Sequence, residues 1–292
     1  MRADAALAEV PILVMASMER TTDRSIVFSA GATDLLAKPI DRLELIGRMR
    51  VHLDRRSLIL RLSEYQRCMD TDLQLARSMQ ETLMPSEEVV AQYEAAMPVE
   101  IGAHYEASQG LGGDLWGLIP LADGKLKIYS ADFTGHGVGS ALNTFRLHTF
   151  ISNHTGLADF PAAWLGQLNS YLCSVLSTGQ FATMFCAVVD FEACELRYAS
   201  AGAPPQLLQN RRNGAGYRLL DGTGFPLGLI EQATFEEHCE RFDPGCGLLL
   251  YSDALVETPD PPEEVFTPKG LSEYLNSQCA GAGAKAIPAC IV

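Results

Sequence analysis

Residues 125–137 read Lys-Leu-Lys-Ile-Tyr-Ser-Ala-Asp-Phe-Thr-Gly-His-Gly. Leu126, Ile128 and Ser130 alternate with Lys127 and Tyr129, the period of two that marks a strand with one face toward a core. The run stops at Asp132, and the glycines at 135 and 137 let the main chain turn sharply. Beyond them Val138, Ala141, Leu142 and Phe145 recur at helical spacing, so strand, glycine turn and helix are predicted. A carboxylate placed where an apolar strand stops is held by rigid backbone and still reaches solvent.

The pattern of Asp132 occurs twice more. Asp114 closes Leu111-Gly112-Gly113-Asp114, and Asp253 follows the apolar run Gly247–Tyr251. Each aspartate alone has an ordinary explanation: Asp132 as a helix cap, Asp114 and Asp253 as turn residues. Three at apolar strand ends point to a site for a hard, oxygen-loving cation, Mg²⁺ or Mn²⁺. Around them, Phe181–Asp190 and Glu195–Ser200 read as a hairpin, and Leu165, Leu168, Leu172 and Val175 as a second helix. Strands interrupted by paired helices predict an α+β sandwich rather than a Rossmann sheet, and no Walker-type phosphate loop is present.

The N-terminal region reads differently. Pro11–Met15 is a short apolar run suited to a buried parallel strand. Residues 23–30 with Gly31 read as a helix and its C-cap, and residues 34–39 as a strand ended by Pro39. Asp41 can cap a helix through Leu45, Met49 and Leu53. This is β-α-β-α, half of a doubly wound sheet. From Ser57 a heptad-like seam follows (Leu58, Leu62, Tyr65, Met69, Ala76, Met79, Leu83), broken at Asp72 and ended by Pro85. Joined to the helix from Asp41 it predicts a rod of about 43 residues, roughly 64 Å at 1.5 Å per residue. The expected organisation is residues 1–54 as an α/β fragment, 55–85 as a helical linker able to pair two chains, and 86–292 as the α+β domain.

Composition narrows the partners. The 292 residues carry 22 Lys+Arg against 36 Asp+Glu, a net charge of −14. Residues 1–67 hold 11 basic and 9 acidic residues, leaving 11 against 27 in the rest. So acidic a domain repels phosphate backbones, which argues against nucleic acid as its partner. Eight scattered cysteines without a Cys-x-x-Cys pair form no disulfide framework. No run reaches the roughly 18 uncharged apolar residues of a membrane span, and a cytoplasmic location is expected.

Six short motifs fall in one order: GGDLW (112–116), ADFTGHGVGSAL (131–142), FATMF (181–185), AGAPPQLL (201–208), PLGL (226–229) and LLYSDALVE (249–257). Together they resemble the bacterial serine phosphatases of the sporulation and stress-response type, within the metal-dependent phosphatase 2C class. The preceding LARSMQETLMP (75–85) is similar to the linker end before that domain in receiver–phosphatase fusions. PILVMAS (11–17) with AGATDLLAKPIDRLEL (30–45) resembles the C-terminal half of a response-regulator receiver.

The resemblance implies an α-β-β-α sandwich and a two-metal hydrolase (Mn²⁺ or Mg²⁺) acting on phosphoserine or phosphothreonine in a regulatory protein, for example an anti-anti-sigma factor. By that resemblance Asp132 bridges the metals, Phe133 offers its backbone carbonyl to the second, Asp253 ligates the first, and Asp114 belongs to the metal and water shell. His136 reads either as a general acid or, in its Gly-His-Gly context, as a structural residue at the helix start, the latter being preferred. Lys38 matches the receiver lysine that contacts a phosphoryl group, but the family's acidic pair and phospho-accepting aspartate have no counterpart and Ala16 stands where a hydroxyl residue is usual, so Lys38 reads as an ordinary strand-end lysine. Ala254 and Ala203 replace a family glycine and histidine, and no aspartate follows Asp260, where the family has a further ligand. The sequence therefore reads as a piece of a longer gene, lacking receiver strands and the last phosphatase strand, with Glu257 or Glu273 as substitute ligands. The alternative is a phosphatase-fold binding module without turnover.

Overall fold

The computed structural model describes residues 7, 9–17, 21–106, 110–154, 156, 159–210, 216–257, 267–279 and 282–291. The chain divides into two compact units, Met1–Leu73 and Gln74–Val292.

The first unit has the predicted β-α-β-α order. Strand β1 (Leu13–Ala16) leads through helix α1 (Thr21–Ser29) to strand β2 (Asp34–Ala37), and helix α2 (Arg42–Glu81) begins after a turn. β1 and β2 are parallel, with Leu13 opposite Asp34 and Ala16 opposite Ala37. Gly31, at φ 94°, adopts the left-handed conformation that ends a helix. Asp41 accepts the N–H groups of Leu43 and Glu44 at 2.6 and 2.9 Å, the expected cap of α2. Burial would raise the Asp34 carboxyl, but hydrogen bonds from His52 and Arg48 outweigh it and hold the group down to about 2. Leu36 is the only fully buried side chain among the described residues of this unit.

The helix α2 runs unbroken for 40 residues, and its seam splits in two. Leu58, Leu62, Tyr65 and Met69 stay largely in solvent, whereas Leu83, just past the helix end, packs on a core of the second unit. That unit continues with an unforeseen helix α3 (Glu87–Ala96), whose first turn is capped by the Ser86 hydroxyl accepting from Val89 N–H.

Five strands form one antiparallel sheet in the order β3 (Asp114–Pro120), β4 (Lys125–Phe133), β5 (Ala182–Asp190), β6 (Glu195–Ala201) and β9 (His238–Arg241). A second sheet orders β10 (Gly247–Leu249), β7 (Leu207–Gln209) and β8 (Tyr217–Leu219). Helices α4 (Val138–Asn153) and α5 (Pro161–Val175) cover the larger sheet; α7 (Pro268–Gln278), flanked by the short α6 (Ala254–Glu257) and α8 (Ile287–Ile291), covers the smaller.

Three cores glue these layers together. Leu147, Leu165, Leu168 and Leu172 pack against Phe133, Met184 and Cys186; Phe185, Val189 and Tyr198 meet Leu208 and Leu220 between the sheets; and Leu271 and Leu275 close on Leu207 and Tyr217. The result is the α-β-β-α sandwich. Each buried leucine is worth roughly 1.5–3 kcal/mol of apolar burial, so the stack of layers is the main source of cohesion.

Tertiary packing corrects several local expectations. Lys127 and Tyr129 are buried, because α4 and α5 cover the face of β4 that alternation marked as polar. On α4 the inward stripe is Ala141, Thr144, Leu147 and Ile151, while Val138 and Leu142 are more than half exposed. The apolar run 247–251 forms only a three-residue strand, since β7 offers just three partners. The N-cap of α4 is Gly137, which removes Asp132 from any capping role. Among the described residues no helix is long and apolar enough to cross a membrane.

Candidate active site

The site grows from the turn between β4 and α4. Asp132 and Phe133 are the last residues of β4, and the antiparallel register sets Asp132 opposite Asp114, the first residue of β3. Two carboxylates thus start from neighbouring strands at the same end of the sheet. Past Phe133 the chain is pinned to the head of β5: Thr134 N–H donates to the Phe181 carbonyl at 3.0 Å, and Phe181 N–H donates to the Thr134 hydroxyl at 3.2 Å. Gly135 and Gly137, at φ 87° and 89°, then swing the backbone into α4.

Gly113 shows how tightly the two strand ends meet. A methyl group there would stand 2.5 Å from the Phe133 carbonyl oxygen and 3.1 Å from Asp132 Oδ1. Phe133 N–H donates to the Gly113 carbonyl at 3.1 Å. The Asp132 carboxylate and the Phe133 carbonyl therefore converge on one spot beside the Gly112-Gly113-Asp114 segment, and only a glycine leaves room for both.

Asp253 arrives from the second sheet, in the turn between β10 and α6. The strand ahead of it is clamped by Gln206, whose Oε1 accepts from Tyr251 N–H at 2.8 Å and whose Nε2 donates to the Tyr251 carbonyl at 3.3 Å. The Tyr251 hydroxyl donates to the Pro205 carbonyl at 2.6 Å. The AGAPPQLL segment thus holds in place the strand that carries Asp253.

Electrostatics tie Asp253 to Asp114. Burial foremost, and then the charge of Asp253, pushes the Asp114 carboxyl up to about 6. Asp114 Oδ1 is buried and has no hydrogen-bond partner. A buried carboxylate oxygen in the field of a second carboxylate lacks a positive counterpart, and a divalent cation fits that need. The donor set, carboxylates plus a strand-end carbonyl, is also the hard oxygen set that Mg²⁺ and Mn²⁺ prefer. Among the described residues no three His, Cys, Asp or Glu side chains cluster closely enough to hold an ion by themselves. The expected constellation is brought together pairwise, Asp114 with Asp132 by register and Asp114 with Asp253 through their charges. His136 is exposed between its two glycines. Glu273 sits on the exposed side of α7, in an ion pair with Lys269, and the Glu257 side chain lies outside the described residues.

Two supporting residues lay beyond sequence reasoning. Gln80, 2% exposed at the end of α2, donates from Nε2 to the Gly112 carbonyl at 2.7 Å and accepts Gly112 N–H at 3.2 Å. The same nitrogen reaches the Thr144 hydroxyl on α4 at 3.1 Å. Tyr105 is the other: burial and the charge of Asp114 raise its phenol, and its hydroxyl is buried without a partner.

The family description of stage II sporulation protein E (SpoIIE) matches residues 122–291, more than half of the chain. Phosphoserine phosphatase RsbP of Bacillus subtilis is 28% identical over 190 residues, which are 64% of this chain and 45% of that protein. The chain spans less than half the length of the curated relatives it matches. Among solved structures, the SiaA-PP2C domain of Pseudomonas aeruginosa superposes with a TM-score of 0.63 at 20% identity, covering 78% of this chain and 87% of that one. The RsbU and RsbW domains of a Mycobacterium tuberculosis protein give 0.51 at 28% identity, covering 62% and 50%. The four-layer sandwich is thus the fold of phosphatase 2C.

Proposed function

Because this chain belongs to the stage II sporulation protein E family, we propose that it is a metal-dependent protein-serine/threonine phosphatase acting on a regulatory phosphoprotein, for example an anti-anti-sigma factor. The observation that carries the reading is the Asp114–Asp132 pair with Asp253 acting on it, where Asp114 Oδ1 is buried, unpartnered and short of a positive neighbour.

Asp132, Asp253 and Asp114 would hold Mn²⁺ or Mg²⁺ together with the Phe133 carbonyl. Such cations supply neutralisation of phosphoryl charge and acidification of a water molecule. The chain's own residues do the positioning. Gly113 lets the strand ends close on one another, Gln80 fixes the Gly112 backbone, and Gln206 fixes the approach to Asp253. The rigid β3–β4 register keeps the carboxylates together before substrate arrives, so little reorganisation is left for the reaction itself. The net charge of −14 disfavours nucleic acid as a substrate.

The first unit is read as part of a receiver module, on the strength of its parallel β1–β2 pair and following helices. The exposed stripe Leu58, Leu62, Tyr65 and Met69 is read as a surface that pairs two chains within residues 58–83. The central test is hydrolysis of an aryl phosphate and of a phosphoserine protein with and without Mn²⁺. Metal-dependent turnover is expected. A folded protein that captures a partner without metal and never releases phosphate would overturn the enzyme in favour of a binding module.

A further inference from the structure

We propose that Lys127 and Trp164 form the charged end of a binding site for a small monocarboxylate with an apolar body. The two residues line a cavity of about 320 Å³ between the segment after α2, the β3–β4 hairpin and the ends of α4 and α5. That volume lies at the small end of ligand sites.

The lysine is the unusual feature. Lys127 is fully buried, and its Nζ has no hydrogen-bond partner. It stands 3.7 Å from the centre of the Trp164 ring, which is itself buried. The ring face offsets part of the charge but takes up none of the three N–H donors directionally. Burial dominates its surroundings and pulls the ammonium down to about 8, against weak attraction from Cys186 and Asp159. A buried cation of this kind is normally answered by an anion.

The remaining lining selects which anion. Leu83, Met84, Leu118, Ile119 and Ile151 present hydrocarbon. Two imidazoles also line the cavity: His148, held toward its neutral form by burial, and His154, whose Nδ1 lies 3.0 Å from the Phe150 carbonyl oxygen; Lys127 is the one lysine or arginine among the described lining residues. A single ammonium matches a single negative charge, whereas a phosphate dianion would remain a charge short. A neutral alcohol would fill the apolar part and leave the ammonium uncompensated. A short-chain carboxylate satisfies both ends.

The experiment uses the full chain carrying Trp116→Phe, so that Trp164 is the remaining tryptophan and reports on the cavity by fluorescence. Hexanoate is titrated, with hexan-1-ol and inorganic phosphate as controls. Hexanoate is expected to give a saturable change at roughly micromolar to millimolar concentrations, and Lys127→Met is expected to weaken it by about tenfold or more. Ser152→Phe, which fills the exposed rim of the cavity while leaving Lys127 in place, is expected to abolish the change. Equal hexanoate affinity in parent and Lys127→Met, equally tight hexan-1-ol or phosphate, or no saturable response would overturn the proposal. Should Lys127→Met fail to fold, Ser152→Phe decides, since unaltered binding with the rim filled excludes this cavity.

Discussion

Gln80 grips both backbone polar groups of Gly112, donating to its carbonyl at 2.7 Å and accepting its N–H at 3.2 Å. Thirty-two residues separate them in sequence. Gly112 lies two positions before Asp114, so the end of helix α2 holds the segment from which one carboxylate of the site is presented. A shift or rotation of that helix end would act directly on the carboxylate pair.

Replacing Gln80 by Ala leaves both Gly112 groups without this partner, at a cost of about 1–3 kcal/mol. We expect a lower melting temperature and a higher Mn²⁺ concentration for half-maximal phosphatase activity, because the Asp114 segment loosens. Unchanged metal dependence in a destabilised protein would show that Gln80 serves the fold alone.

Asp132→Asn removes charge from the register pair without changing its shape. Turnover of an aryl phosphate should fall by about a hundredfold or more with the circular dichroism spectrum unaltered. A folded Asp132→Asn protein of full activity would refute the two-metal reading.

Gly113→Ala tests the close approach of the strand ends. The added methyl would stand 2.5 Å from the Phe133 carbonyl oxygen, which is backbone and must move. We expect a protein that folds less stably and loses activity more than stability, with the loss largest at low Mn²⁺.

The pH response of Asp114 has a definite sign. Its carboxyl lies at about 6 in the folded protein against 3.8 ordinarily. The folded state therefore binds the proton more tightly, and stability contributed by this group falls as pH rises from about 4 to about 6. Two pKa units correspond to on the order of 2–3 kcal/mol. Thermal melts without metal should show this decline, Asp114→Asn should flatten it, and Mn²⁺ should restore stability above pH 6. The same slope in Asp114→Asn would assign the effect elsewhere.

The stripe on α2 is tested by association. With Leu58, Leu62 and Tyr65 about 60% exposed in a single chain, a parallel pair of helices would bury them, and Leu62→Asp with Met69→Asp would place charges in that seam. Sedimentation at tens of micromolar should show a dimer for the parent and a monomer for the double variant. A monomeric parent would remove the pairing.

Local pattern carried the elements whose driving force is local. The β-α-β-α order of residues 13–81, the β5–β6 hairpin, helix α5 and the position of Asp132 at the end of β4 all follow from periodicity, glycines and caps, whereas Asp114 opens β3 rather than closing an apolar run. Helix α3 has a local signature of the same kind, since Ser86 caps it through Val89 N–H just past the proline that ends the seam. Other features had no local signature. The second layer over β4 turned Lys127 and Tyr129 inward, and whether a strand's polar-looking face is covered depends on helices that arrive later in the chain. The amide clamps of Gln80 on Gly112 and of Gln206 on Tyr251 join residues 32 and 45 positions apart, and a glutamine looks alike in sequence whether it meets solvent or a buried backbone. Residue type and spacing thus specify which backbone shape each segment prefers, while burial, the Asp114 shift and the unanswered charge of Lys127 arise only when distant segments exclude water from one another.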